Sequence, residues 1–212
     1  MTLMTTHSLR LAVLLLAAGQ GSRLGSVPKS LLKKDGKSLL RRFCNVVESF
    51  KPLEFLVVTG FHAEQIEEEL AQMQVEASLE IRAVRNSSHV NDQASSVRLG
   101  LESLQSDFDV LLVALSDQPL IGASEIAELL EDFAKRTATE EIILPLVDGQ
   151  RGNPVLFSRA VIERILKIPK MVCRPYMDEH SSLVRILHSS NAAYIIDIDT
   201  PEDLSKQGLS LP

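Results

Sequence analysis

The stretch "VLLLAAGQGSRLGSVPKSLL", residues 13–32, runs from unbroken apolar sequence straight into a glycine-rich polar loop. A short continuous apolar run bounded by turn residues reads as a strand buried on both faces, the kind a parallel sheet requires. Open α/β sheets bind ligands outside the carboxyl ends of their strands, which is where this loop falls. Two common phosphate loops are excluded by spacing. A dinucleotide fingerprint reads GxGxxG and opens a helix. Gly19, Gly21 and Gly25 read GxGxxxG, and Pro28 with a polar stretch delays the next helical pattern to about Ser38. A P-loop reads GxxxxGK[ST]. "DGKS" at 35–38 supplies its end, but position 31 is leucine where the first glycine is needed. What remains is a long glycine loop carrying Arg23 and Lys29. It is either a phosphate cradle, with amides free to approach an anion, or an ordinary βα turn with solvated charges.

Outward from this loop, short β-type runs alternate with amphipathic segments. The strand candidates are 11–16, 54–59, 80–85, 110–115, 142–146 and 193–198. Helical patterns cover 38–49, 63–73, 94–104, 124–136 and 158–165. Such alternation predicts βαβ units, hence one α/β domain with a mostly parallel twisted sheet and helices on both faces. Residues 9–212 form that domain, with 1–8 a flexible N-terminal tail. "GQRGNPVLF", 149–157, reads as a glycine-rich turn into a strand. Residues 168–180, "IPKMVCRPYMDEH", carry two prolines and weak periodicity and read as an irregular loop or lid.

The chain has 212 residues, 45% of them hydrophobic and 24% charged, as in ordinary soluble domains. A net charge of −6 provides no global field for nucleic acid or an anionic membrane, so anion binding must be local. No apolar run is long enough to span a bilayer. The run at 11–18 leads into the glycine loop rather than a leader cleavage site, and the expected location is the cytoplasm. Cys44 and Cys173 have no metal-ligand spacing and read as buried thiols. The histidines, at 7, 62, 89, 180 and 188, show no ligand spacing, and no Ser-His-Asp or Cys-His pattern occurs.

Acidic residues stand at two further strand ends. Asp117, in "LSDQPLI", follows a buried run and suits either Mg²⁺, which takes one or two carboxylates plus substrate phosphates, or a turn cap. Asp197 and Asp199 sit at i and i+2 and share a face if extended. Thr200-Pro201, followed by Glu202 and Asp203, reads as a helix start with acidic residues at its positive end. Adjacent carboxylates repel unless a cation or proton intervenes, and Mg²⁺ between Asp117 and Asp199 would meet that need. Ser95 and Ser96, in "NSSHVNDQASSVRLGL", are either helix caps or ligand hydrogen-bonders.

Together "LAAGQGSRLG" and "PKSLL" resemble the LAAGxGxRMGxxK signature of nucleotidyltransferases with a GT-A-type α/β fold. "SSVRLGL", "LSDQPLI", "GNPVLF" and "DIDTPEDL" are most similar to the molybdenum cofactor cytidylyltransferases within the MobA-like group. The resemblance implies that Gly19 and Gly21 offer amides to the triphosphate. It implies Arg23 on the β and γ phosphates, Lys29 on the α-phosphate, and Ala17 and Ala18 beside the base. Ser96 would contact the nucleotide, and Asp117 and Asp199 would hold Mg²⁺ with Asp197 beside them. Related guanylyltransferases read LAGG where this chain reads LAAG, which favours CTP over GTP. The expected acceptor is phosphorylated, molybdopterin or the molybdenum cofactor, and a molybdoenzyme or maturation chaperone is the expected partner. Two positions depart from the pattern: Asn153 stands where the family shows the histidine of GHP, at the acceptor contact, and Leu24 replaces a methionine of similar volume. Three other readings use the same residues: a nucleotidyltransferase acting on another sugar or alcohol phosphate, a GT-A glycosyltransferase with Asp197 and Asp199 as its metal pair, and a non-catalytic nucleotide sensor or cofactor chaperone.

Overall fold

Residues 11–17 are buried at every position and form β1 (Leu11–Ala17), the central strand. The structure, a computed structural model, describes residues 9–76, 79–88 and 92–212. The expected tail at 1–8 lies outside the described residues, as does His89. After β1 the chain forms a small hairpin of β2 (Lys33–Lys34) and β3 (Lys37–Ser38), then α1 (Leu39–Glu48), β4 (Glu54–Thr59), α2 (Ala63–Glu76), β5 (Ile81–Arg85) and α3 (Gln93–Ser103). There follow β6 (Val110–Leu115), α4 (Ala123–Ala134), β7 (Ile142–Val147), β8 (Gln150–Arg151) and β9 (Val155–Ser158). Helices α5 (Arg159–Lys167) and α6 (Cys173–Glu179), strand β10 (Val184–His188) and α7 (Pro201–Gln207) complete the described elements.

The main sheet runs β10-β7-β9-β6-β1-β4-β5, with β8 on β7. Parallel pairing joins β1 to β4 and β6, β4 to β5, and β7 to β10, whereas β9 is antiparallel to both neighbours. The architecture is therefore the expected single α/β domain with a mostly parallel sheet. Side chains of β1 alternate between two cores, as the strand period demands. Leu11, Val13, Leu15 and Ala17 pack with residues of α1, α2 and α4. Ala12, Leu14 and Leu16 pack with α3, α5 and α6. Gly100 lets α3 approach closely, since a Cβ there would stand 2.6 Å from Leu14 Cδ1.

Two expectations are corrected. Residues 193–198 are not a strand: a 3-10 turn spans Ala192–Tyr194 and irregular chain follows. The edge strand is instead β10, whose half-exposed alternation gave a weaker apolar signal. Residues 168–180 are not an irregular lid, because α6 occupies most of them and buries Cys173, Tyr176 and Met177. Arg98 fastens the approach to α6, its guanidinium donating to the carbonyls of Ile165, Leu166, Ile168 and Met171. Both cysteines are free and buried, as expected. Among the described residues, no helix is long and apolar enough to cross a membrane.

Candidate functional site

A cleft of about 480 Å³ opens at the carboxyl ends of β1 and β6. This lies within the roughly 300–1,000 Å³ typical of small-ligand sites. Its floor is the end of β1, and one wall is the glycine loop. Gly21 and Gly25 adopt left-handed φ values of 65° and 77°, and Gly21 O accepts from both Leu24 and Ser26 amides at 3.0 Å. A Cβ on Gly21 would lie 2.1 Å from Val27 O, so only glycine fits this turn. His62 Nε2 contacts Gln20 O at 2.9 Å, tying the loop to the segment after β4.

The cleft joins charges from three distant segments. Lys29 Nζ donates to Asp117 Oδ2 at 3.1 Å and to Asp199 Oδ1 at 2.5 Å. Arg23 Nη1 donates to Asp199 Oδ2 at 2.5 Å. Carboxylate oxygens of Asp117, Asp197 and Asp199 lie within 4.8 Å of one another. The Ile198 amide donates to Asp117 O at 3.1 Å, which brings the 197–199 segment to the end of β6. Thr200 and Asp203 cap α7 reciprocally, and Asp203 also accepts from the Asp199 amide at 3.1 Å. The helix start predicted at Thr200-Pro201 thus anchors Asp199.

The charges shape one another. Burial alone would lower the Lys29 pKa, but Asp117 and Asp199 outweigh it and hold the ammonium protonated above its usual range. Burial raises the Asp117 carboxyl against the pull of Lys29, with nearby Asp197 adding to the rise. The Lys29 hydrogen bond holds Asp199 below the usual carboxylate range. Lys29 thus places a positive charge between Asp117 and Asp199.

Ala17, Ala18, Gly19, Gly21, Arg23, Lys29, Ser96, Asp117, Asp197 and Asp199 all line this cleft. Asn153 does not. It lies in the β8–β9 connection, and its amide donates to Tyr194 O at 2.8 Å. Ser96 is buried and its Oγ accepts from Asn86 Nδ2 at 2.9 Å, while Asp92 caps α3 by accepting from the Ser95 amide at 2.7 Å. Sequence reasoning passed over Asp92, Gln93 and Ser30 as cleft residues. The available signal was position: Asp92 and Gln93 flank a helix start, and Ser30 follows Lys29.

Comparison with known proteins gives a consistent result. The family model of the MobA-like NTP transferase domain matches residues 13–184. The bifunctional protein GlmU of Synechococcus sp. (strain JA-3-3Ab) is 32% identical over 163 residues, covering 76% of this chain. The chain spans only 24% of that relative's length. Among solved structures, a nucleotidyl transferase from Methanothermobacter thermautotroptrophicus superposes with a TM-score of 0.70 at 23% identity, covering 93% of this chain and 95% of that one. The 4-diphosphocytidyl-2C-methyl-D-erythritol synthase of Anaerococcus prevotii also gives 0.70, at 16% identity, covering 94% and 97%. At these identities the two structures establish the fold.

Proposed function

The chain belongs to the MobA-like NTP transferase family, and on that premise we propose that it transfers a nucleoside monophosphate from a nucleoside triphosphate to a phosphorylated acceptor, releasing pyrophosphate. The observation that carries this reading is the convergence of Lys29, Arg23 and three carboxylates at the mouth of a glycine loop. An acceptor phosphate oxygen forms the new bond to the α-phosphorus, and the bond from that phosphorus to the bridging oxygen of the β-phosphate breaks. The attacking phosphate is already ionised at neutral pH, so no general base is required. Catalysis then rests on positioning and charge neutralisation. Amides of the Gly19–Gly21 turn and the Arg23 guanidinium meet the β and γ phosphates. Lys29 meets the α-phosphate.

The carboxylates suit a hard divalent cation such as Mg²⁺, which takes oxygen ligands from few protein groups and completes its shell with phosphate. Asp117 and Asp199 would hold it, with Asp197 beside them. Bound there, it would neutralise charge developing on the phosphate oxygens. The fit rests on the donor set, three carboxylates whose oxygens lie within 4.8 Å of one another, and the Lys29 ammonium would leave Asp117 and Asp199 for the α-phosphate when the ion binds.

Cytidine triphosphate is the proposed donor and molybdopterin or the molybdenum cofactor the proposed acceptor. Support for CTP is Ala18, where the related guanylyltransferases carry glycine. A thermal-shift panel of the four NTPs with Mg²⁺ tests class and base together, because stabilisation follows ligand concentration over Kd. The largest shift is expected for CTP. Equal shifts for all four would overturn the base assignment, and no shift for any would overturn the class. Pyrophosphate release with molybdopterin, compared with sugar and alcohol phosphates, then tests the acceptor.

A further inference from the structure

We propose that a second pocket, between α1 and the chain that follows Asp117, binds a phosphate carried on a small, partly apolar body. Residues 29–42 hold six cations (Lys29, Lys33, Lys34, Lys37, Arg41 and Arg42) and a single carboxylate, Asp35, a local charge of +5 in a chain of net charge −6. Lys29 turns into the main cleft, and Arg41 pairs with Glu69. Lys34, Lys37 and Arg42 instead line a separate cavity of about 380 Å³. Among the described residues no carboxylate lines it. Among the described residues, the acid paired with these cations is Asp35, whose side chain is 82% exposed and stands 3.6 Å from Arg42, a weak and well-screened contact. Phe43 and Ile121, both buried, supply an apolar floor.

The second, independent observation is Gln118. It lines this cavity and is only 8% exposed. Its Nε2 donates to Tyr194 O at 3.1 Å, and because a carbonyl can only accept, the orientation of the amide is set. Its Oε1 is buried and accepts no hydrogen bond. Native proteins seldom leave such an acceptor unpaired, and the cost persists until a donor arrives. The cavity wall thus holds a buried, unpaired oxygen, and a ligand that donates to it must first turn the amide away from Tyr194 O. The recognised class is a phosphate ester with an apolar body, anchored by three cations of the β2–β3 hairpin and α1.

The test is a titration of the full-length protein with phenyl phosphate, followed by amide chemical shifts, with uncharged phenol as the control. Saturable shifts are expected in the Gln118 side-chain amide, in residues 119–122 and in residues 37–46. Affinity should fall about tenfold in K34E/R42E, the change expected from losing a charge-assisted contact. The spectrum of the variant itself reports its folding. Should it not fold, K37E at the exposed hairpin position serves in its place. Shifts confined to the glycine loop, equal binding of phenol, or undiminished binding by a folded charge-reversal variant would each overturn the proposal.

Discussion

Replacing Lys29 with methionine keeps the stem of the side chain to Cε and removes the charged terminal nitrogen. In the folded chain the ammonium lies 3.1 Å from Asp117 and 2.5 Å from Asp199, with only 18% of the lysine side chain exposed. Unit charges about 4 Å apart interact by ~4 kcal/mol at an effective dielectric of about 20. Desolvation offsets much of that gross attraction, and Asp199 is itself 34% exposed, so the net loss is on the order of 2 kcal/mol. What remains is three carboxylates within 4.8 Å of one another and Arg23, whose side chain is 71% exposed and screened. K29M should therefore melt below the parent in EDTA. It should also gain more from Mg²⁺ alone, because a divalent ion no longer competes with an internal ammonium. Mn²⁺ titration by electron paramagnetic resonance, without nucleotide, should show about tenfold tighter binding to K29M, as ~1.4 kcal/mol of relieved competition requires. Pyrophosphate release should fall at least ~100-fold through loss of the charge at the α-phosphate. Equal stability of parent and variant in EDTA, with equal gains from Mg²⁺, would refute the claim that Lys29 neutralises these carboxylates.

Three further outcomes can be measured independently. Gly21→Ala forces a left-handed backbone and a contact with Val27 O, so NTP-dependent thermal shifts should fall while the far-ultraviolet spectrum persists; undiminished shifts would detach this turn from nucleotide binding. Arg98→Met leaves the carbonyls of Ile165, Leu166, Ile168 and Met171 without their shared donor, costing about 3 kcal/mol in urea melts, and proteolytic nicking should rise at 166–172. Burial would raise the Glu54 carboxyl, but the Ser106 and Gln105 amides and Arg82 outweigh it and hold it below the usual range. A carboxyl depressed on folding adds stability above its unfolded pKa that is lost as pH falls through the folded one. Glu54→Gln should then cost about 1–3 kcal/mol at pH 7 and progressively less below about pH 4.5. A gap between parent and variant that stays constant down to pH 3 would refute this.

Strands β1, β4 and β6 were readable almost to the residue, because a strand covered on both faces must be apolar at every position. The same rule explains the failure at 193–198. There Ala193, Tyr194 and Ile198 are buried, but they cap the sheet end as turn and irregular chain rather than pair in it. Strand β10 was hidden for the converse reason: an edge strand half open to solvent carries a diluted signal. The prolines of 168–180 suggested a loop, yet Pro175 falls inside the first turn of α6, where a missing N–H costs little.

The sequence by itself determined the alternating α/β order, the glycine loop that is neither P-loop nor dinucleotide fingerprint, and the charged residues that follow β1 and β6. These are local properties, written in period, spacing and residue type. Only the tertiary structure decided which charges meet. Lys29 and Asp199 stand 170 positions apart, and Asp117 lies between them in sequence. Parallel strands β1 and β6 bring their carboxyl ends together, and the Ile198 amide on Asp117 O then delivers Asp199 to Lys29. The same packing set Asn153 away from the cleft and left Gln118 with an unpaired oxygen beside a second, cationic pocket. Spacing along the chain carries no information about such encounters, because they depend on sheet order and on where a buried polar atom finds, or lacks, its partner.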